Sequence, residues 1–142
     1  MNAKCLLDTN IFVYAFHPDA PAKARVANDL IRAAVASGQG VISYQVIQEF
    51  FSVALRKFPQ PIPAAESGVI LAEVFRPLLA IESSMWLFRL ALELQRDHRL
   101  AWYDALIVAA AQEAECGILY SEDFQHGRRF GTILVQNPFE LL

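Results

Sequence analysis

Four carboxylates, Asp8, Glu49, Asp104 and Asp123, lie far apart in a chain of 142 residues, yet each stands beside a short apolar run or in an early turn of an apolar helical stretch. If a fold gathers them, their mutual repulsion calls for a cation. Carboxylate oxygens suit Mg²⁺ or Mn²⁺ rather than zinc. Such an ion lowers the pKa of a bound water and neutralises charge developing on a phosphoryl group, so the chemistry in view is metal-assisted phosphoester hydrolysis. Each acid also has a plain structural reading. Asp8, Thr9 and Asn10 are good helix caps ahead of "IFVYAF". Asp104 suits the first turn of a helix starting at "WYDAL", and Asp123 suits a turn. Glu49 is hardest to read this way. It is the only acid in "YQVIQEFFSVAL", where unpaired burial would raise its pKa or destabilise the fold.

The elements that must position these acids follow from the apolar patterning. Candidate strands are "KCLLD" (4–8), "GVIS" (40–43), "LLAIE" (78–82), "GILYS" (117–121) and "TILV" (132–135), all too apolar for a sheet with one wet face. Helical patterns fill the intervals at 22–36, 45–58, 64–75, 85–98 and 102–115, bounded by Gly38, Gly40, Pro59, Pro61, Pro63, Pro77 and Gly117. Strands alternating with helices predict an α/β sandwich around a mostly parallel sheet, in a single domain spanning 1–142. Open sheets of that kind carry their sites at the carboxyl ends of the strands. That is where Asp8 follows the first strand, Glu49 follows the second, and Ser121, Glu122 and Asp123 follow the fourth.

Composition narrows the classes. The chain is 55% hydrophobic and only 19% charged, rich in apolar surface for its size, which predicts burial against a second chain. No uninterrupted transmembrane span is present, and Asp8 breaks the first apolar run too early for a signal peptide, so a cytoplasmic protein off the membrane is expected. Cys5 and Cys116 have no metal-ligand spacing and read as core thiols. A net charge of −3 weighs against binding a polyanion through overall charge, although Lys23, Arg25, Arg56, Lys57, Arg128 and Arg129 offer local cations for a groove. His17, His98 and His126 read as capped or solvated, and Phe50, Phe51 and Phe58 as core packing. No phosphate-binding glycine loop, nucleophile elbow or zinc spacing appears.

The segments "LLDTNIFVY", "SYQVIQEFF", "WYDALIVAAA" and "LYSEDFQHG", in this order and at these separations, resemble the PIN domain, specifically a VapC-type toxin of a bacterial toxin–antitoxin pair. The resemblance spans essentially the whole chain. It implies a PIN-like α/β/α sandwich with a parallel sheet, Mg²⁺ or Mn²⁺ dependence, endoribonuclease activity, a homodimer, and inhibition by a cognate antitoxin whose tail occupies the groove. It places the family's acidic set on Asp8, Glu49, Asp104 and Asp123, with Asn10 and Ser121 as polar neighbours of the metal. Ser121 stands where many relatives carry Thr, which retains the hydroxyl. Of the adjacent acids Glu122 and Asp123, the second matches the family position, and its shorter arm fixes an oxygen with fewer torsions to immobilise.

The resulting expectation is hydrolysis of an RNA phosphodiester. Asp8 and Asp104 act as principal ligands, Asp123 completes the shell, and Glu49 positions or deprotonates the attacking water. Two rivals stand beside it. One is a phosphatase using Asp8 as nucleophile, weakened by Asn10 where many such enzymes have a second acid. The other is a non-catalytic α/β interaction module whose acids only cap helices.

Overall fold

A computed structural model describes residues 3–17 and 19–142 of the chain. Six strands, β1 (Cys5–Leu7), β2 (Gly40–Ser43), β3 (Leu79–Ile81), β4 (Ile118–Tyr120), β5 (Arg129–Phe130) and β6 (Ile133–Gln136), form a sheet in the order β3-β2-β1-β4-β6-β5. The helices are α1 (Thr9–Phe16), α2 (Pro21–Ser37), α3 (Tyr44–Ala54), α4 (Ala64–Ile70), α5 (Arg76–Leu78), α6 (Met85–His98) and α7 (Trp102–Glu113). All pairings are parallel except β5 with β6. The arrangement is the expected α/β/α sandwich with a mostly parallel sheet.

Every residue of β1 is buried, and its neighbours β2 and β4 flank it in register, Cys5 opposite Gly40 on one side and Ile118 on the other. A strand apolar on both faces is stable only when both are covered, which is what crossover helices provide. Burial also pushes the Cys5 and Cys116 thiols up, to about 11 and about 12, so they stay protonated in the interior. Phe12 and Phe50 each meet Phe75 edge-on, with ring centroids 5.0 and 5.2 Å apart, joining α1 and α3 to the segment after α4. The phenylalanines read as packing therefore include two, Phe50 and Phe58, that are almost wholly buried.

Gly40 is required by proximity. A Cβ there would overlap the Cβ of Ala34 on α2, which lies directly over the start of β2. Gly40→Ala is expected to destabilise the protein by about 1–3 kcal/mol through overpacking, read as a lower midpoint in urea with an unchanged slope.

The chain runs outward from β1 to β2 and β3, then returns to the other side of β1 with β4. This reversal leaves a crevice at the carboxyl ends of β1 and β4, where ligands of open α/β sheets bind. At its floor the two strand ends stay paired, the Asp8 amide donating to the Tyr120 carbonyl at 3.0 Å.

Three elements differ from the sequence expectation. The helical pattern at 64–75 ends as α-helix at Ile70, continues as a π-helical turn (Leu71–Phe75), and finishes in α5. There the Arg76 amide reaches back five residues to the Leu71 carbonyl. Pro77, which offers no N–H, follows at once, so the ladder is already being rearranged at this point. Helix α3 stops at Ala54, ahead of the proline-rich segment, rather than at Phe58. Strand β5 was absent from the expected set; its two residues pair with Leu134 and Ile133 across a turn in which Gly131 has φ 60°. Among the described residues, no helix is long and apolar enough to cross a membrane.

Candidate active site

Asp8 directly follows β1 and is the N-cap of α1. One carboxylate oxygen accepts from the Thr9 amide at 2.7 Å, and the other accepts from the Ser121 hydroxyl at 2.7 Å. Capping and membership of an acidic group, alternatives in the sequence, are thus combined in one side chain. Asp8 is only 4% exposed and Ser121 is fully buried. Burial pushes the Asp8 pKa up to about 7, against the pull of its bonds from Ser121 and Thr9, and the charges of Asp123 and Glu49 add to the rise.

The exit of β4 supplies the second wall. Ser121 accepts from the Asp123 amide at 3.0 Å, and the Asn10 amide group donates to both the Ser121 hydroxyl, at 3.3 Å, and the Asp123 carboxylate, at 3.2 Å. Asn10 also accepts from the Glu122 backbone amide at 3.3 Å. The two adjacent acids diverge. Asp123 faces Asn10, while Glu122 accepts from the Tyr14 hydroxyl at 2.5 Å and pairs with Lys23 at 3.1 Å. Lys23 also donates to Tyr14 and lies 4.4 Å above its ring. The Lys23 ammonium, one of the cations expected to be free for a groove, is committed to anchoring the β4 exit onto α1 and α2.

Glu49 enters from α3. Its Oε1 accepts from the Thr9 hydroxyl at 3.1 Å and from the Gln45 side-chain amide at 3.0 Å. Gln45 in turn donates to the Tyr103 carbonyl at 3.1 Å, tying α3 to the start of α7. Thr9, which reads in the sequence as a cap, and Gln45 are partners of Glu49 that the sequence does not single out, although Gln45 lies four residues before Glu49, the spacing at which helical side chains meet. Asp104 is half-buried in the first turn of α7. Its pKa is raised, chiefly by burial and then by the charge of Asp123.

Charge links the acids in a chain: the charges of Asp123 and Glu49 bear on Asp8, and that of Asp123 bears on Asp104. Among the described residues, no lysine or arginine forms an ion pair with any of them. Nor do three of the described acids, histidines or cysteines stand close enough to close a metal shell as they lie. The donor chemistry nonetheless fits a hard divalent cation, because the available ligands are carboxylate oxygens with uncompensated charge.

Comparison with known proteins bears on this arrangement. Three solved structures share the fold across nearly the whole chain. A toxin–antitoxin complex from Klebsiella pneumoniae superposes with a TM-score of 0.69 at 20% identity, covering 96% of this chain and 99% of that one. FitAcB from Neisseria gonorrhoeae gives 0.65 at 15% identity, covering 96% and 99%. VapBC2 from Rickettsia felis bound to a DNA fragment from their promoter gives 0.61 at 21% identity, covering 94% and 97%. No curated protein matches at a significant level by sequence. The family model of the PIN domain matches residues 5–129, from the first residue of β1 to the first residue of β5 and across all four acids. The chain belongs to the PIN domain family.

Proposed function

We propose that the protein is a divalent-metal-dependent endoribonuclease acting as the toxin of a toxin–antitoxin pair in the cytoplasm. PIN domains are in general nucleases, and the structures of similar fold include toxin–antitoxin complexes. The observation that carries the reading is the linked set Asp8–Ser121–Asn10–Asp123 at the reversal of strand order, with Glu49 and Asp104 coupled to it by charge.

Asp8, Asp104 and Asp123 would hold Mg²⁺ or Mn²⁺. When bound, the ion supplies an acidified water and charge neutralisation at the scissile phosphate. Ser121 and the Thr9 amide orient the Asp8 carboxylate, one on each oxygen. Asn10 fixes Asp123. The bonds from Thr9 and Gln45 fall on Oε1 of Glu49, and Oε2 would receive the proton from the attacking water. RNA enters from the solvent side of Asp123, the exposed member of the set.

Incubation of the pure protein with total cellular RNA, with and without Mg²⁺, is expected to give new ends only with the metal. Hydrolysis of a small phosphomonoester instead would favour the phosphatase, and no turnover would favour an interaction module. The melting temperature should also rise with metal concentration, roughly logarithmically once the site is filled, because the metal binds the native state; a melting curve indifferent to Mg²⁺ and Mn²⁺ counts against the site.

An antitoxin and a second copy of the chain complete the reading. Support for the homodimer comes from Met85, Trp86 and Leu92 of α6, which are large, apolar and exposed. Light scattering at micromolar concentration is expected to give twice the monomer mass, and a monomer would remove the dimer.

A further inference from the structure

Beside the acids, at the carboxyl end of β2, lies a cavity of about 430 Å³ bounded by α3, α6 and α7. Its size lies within the roughly 300–1,000 Å³ usual for small-molecule sites. Ser43 is one of the residues that line it. This residue is the N-cap of α3, yet its hydroxyl makes no capping bond. It is 3% exposed and, among the described residues, is the one buried side-chain polar atom without a hydrogen bond. An unsatisfied buried hydroxyl is costly, and such groups are normally met by a partner.

The remaining wall indicates the kind of partner. Trp102 and Tyr103, 37% and 63% exposed, offer aromatic surface, and Leu87 and Leu106 supply an apolar lining. Gln48 adds an amide that both donates and accepts. Every side chain in the wall is neutral, which disfavours a phosphate or a cation. A flat, neutral, heteroaromatic group with a hydrogen-bonding edge satisfies all of these features at once. Unstacked bases of single-stranded RNA are read in this manner, by aromatic stacking and edge contacts.

Position supplies the link to the acids. Gln45, also in the wall, bonds to Glu49 and to the Tyr103 carbonyl, and Asp104 is the next residue after Tyr103. The pocket and the acidic site thus share a wall. We propose that this cavity is a nucleobase-specificity pocket, which takes one base of the RNA strand flanking the scissile phosphate and reads its edge through Ser43 and Gln48. The inference rests on the nuclease reading above and adds to it the determinant of sequence preference.

Trp102 is a built-in reporter once the other tryptophan is replaced. In Trp86→Phe protein without metal, titration with the four ribonucleoside 5′-monophosphates is expected to give saturable quenching with at least a fivefold preference for one base. Adding Ser43→Ala should weaken that nucleotide by about fivefold, as for one lost hydrogen bond, and flatten the preference. This variant removes an orphan hydroxyl, so its unfolding midpoint should not fall. Equal quenching by all four nucleotides, or an unchanged preference in Ser43→Ala, overturns the pocket and leaves it to a side chain of a protein partner.

A second measurement separates this failure from that of the nuclease. Ends mapped after cleavage of a random-sequence RNA pool should show a base bias beside the cut that weakens in Ser43→Ala and Gln48→Leu. Cleavage with the same bias in wild type and both variants overturns the pocket alone. Selective nucleotide binding without any metal-dependent cleavage supports the pocket and overturns the nuclease.

Discussion

Asp8→Asn is expected to reduce metal-dependent RNA cleavage by about a thousandfold or more, equivalent to about 4 kcal/mol of transition-state stabilisation, while making the metal-free protein more stable. Both effects come from one buried charge. Asp8 holds two hydrogen bonds in an interior that penalises its ionised form, beside two other acids. Its pKa rises from 3.8 to about 7 on folding, so the native state binds the proton more tightly than the unfolded chain. The stability that this gives is fully present below about pH 3.8, declines between there and about pH 7, and is absent above. Metal-free wild-type protein should therefore lose stability between pH 5 and pH 8, and Asp8→Asn should lose much less. Asp104, whose pKa is shifted in the same direction, leaves a residual slope. Urea midpoints at the two pH values, with and without Mg²⁺, provide the measurement. An identical pH slope in the variant, or retained cleavage, would sink the assignment.

Asp123→Asn should lower the cleavage rate by about a hundredfold or more, a loss of several kcal/mol at the transition state, whereas Glu122→Gln should stay within a few-fold of wild type. The difference lies in where the two side chains point. Asp123 reaches Asn10 and the acidic group, while Glu122 is held by Tyr14 and Lys23. Glu122→Gln gives up a partly exposed ion pair and should cost at most about 1 kcal/mol of stability. Rates at saturating Mg²⁺, on variants with native circular dichroism, test the pair. A dead Glu122 variant beside an active Asp123 variant reverses the roles.

The parallel core is readable from the sequence because β1, β2, β4 and β6 are apolar runs bounded by turn residues and linked by helix-length intervals. Their alternation with helices leaves few other solutions. Strand β5 is not readable: two residues carry no period, and only their antiparallel pairing with β6 defines them. The π-helical turn is hidden for a related reason, since a change from four-residue to five-residue spacing leaves the apolar pattern of 64–75 intact. Among the polar residues, carboxylates next to apolar runs stand out because burying them is costly. Thr9 and Gln45 do not, because hydroxyls and amides are common on helices and their bonds to Glu49 depend on how α1 and α3 pack. Ser43 carries no signal in the sequence beyond ending the apolar run "GVIS". Only its missing bond in the folded chain sets it apart.

The pairing of β1 with β4 also determines when the acidic group can assemble. The hydroxyl that orients Asp8 belongs to Ser121, 113 residues later in the chain. Until β4 docks beside β1, Asp8 lacks its hydroxyl partner and Asp123 stands apart from the other three acids. Long-range parallel pairing is slow to form because loop closure must precede the contacts that reward it. The acidic group is therefore completed late in folding, and a chain in which β4 does not dock beside β1 leaves Asp8 without its bond from Ser121.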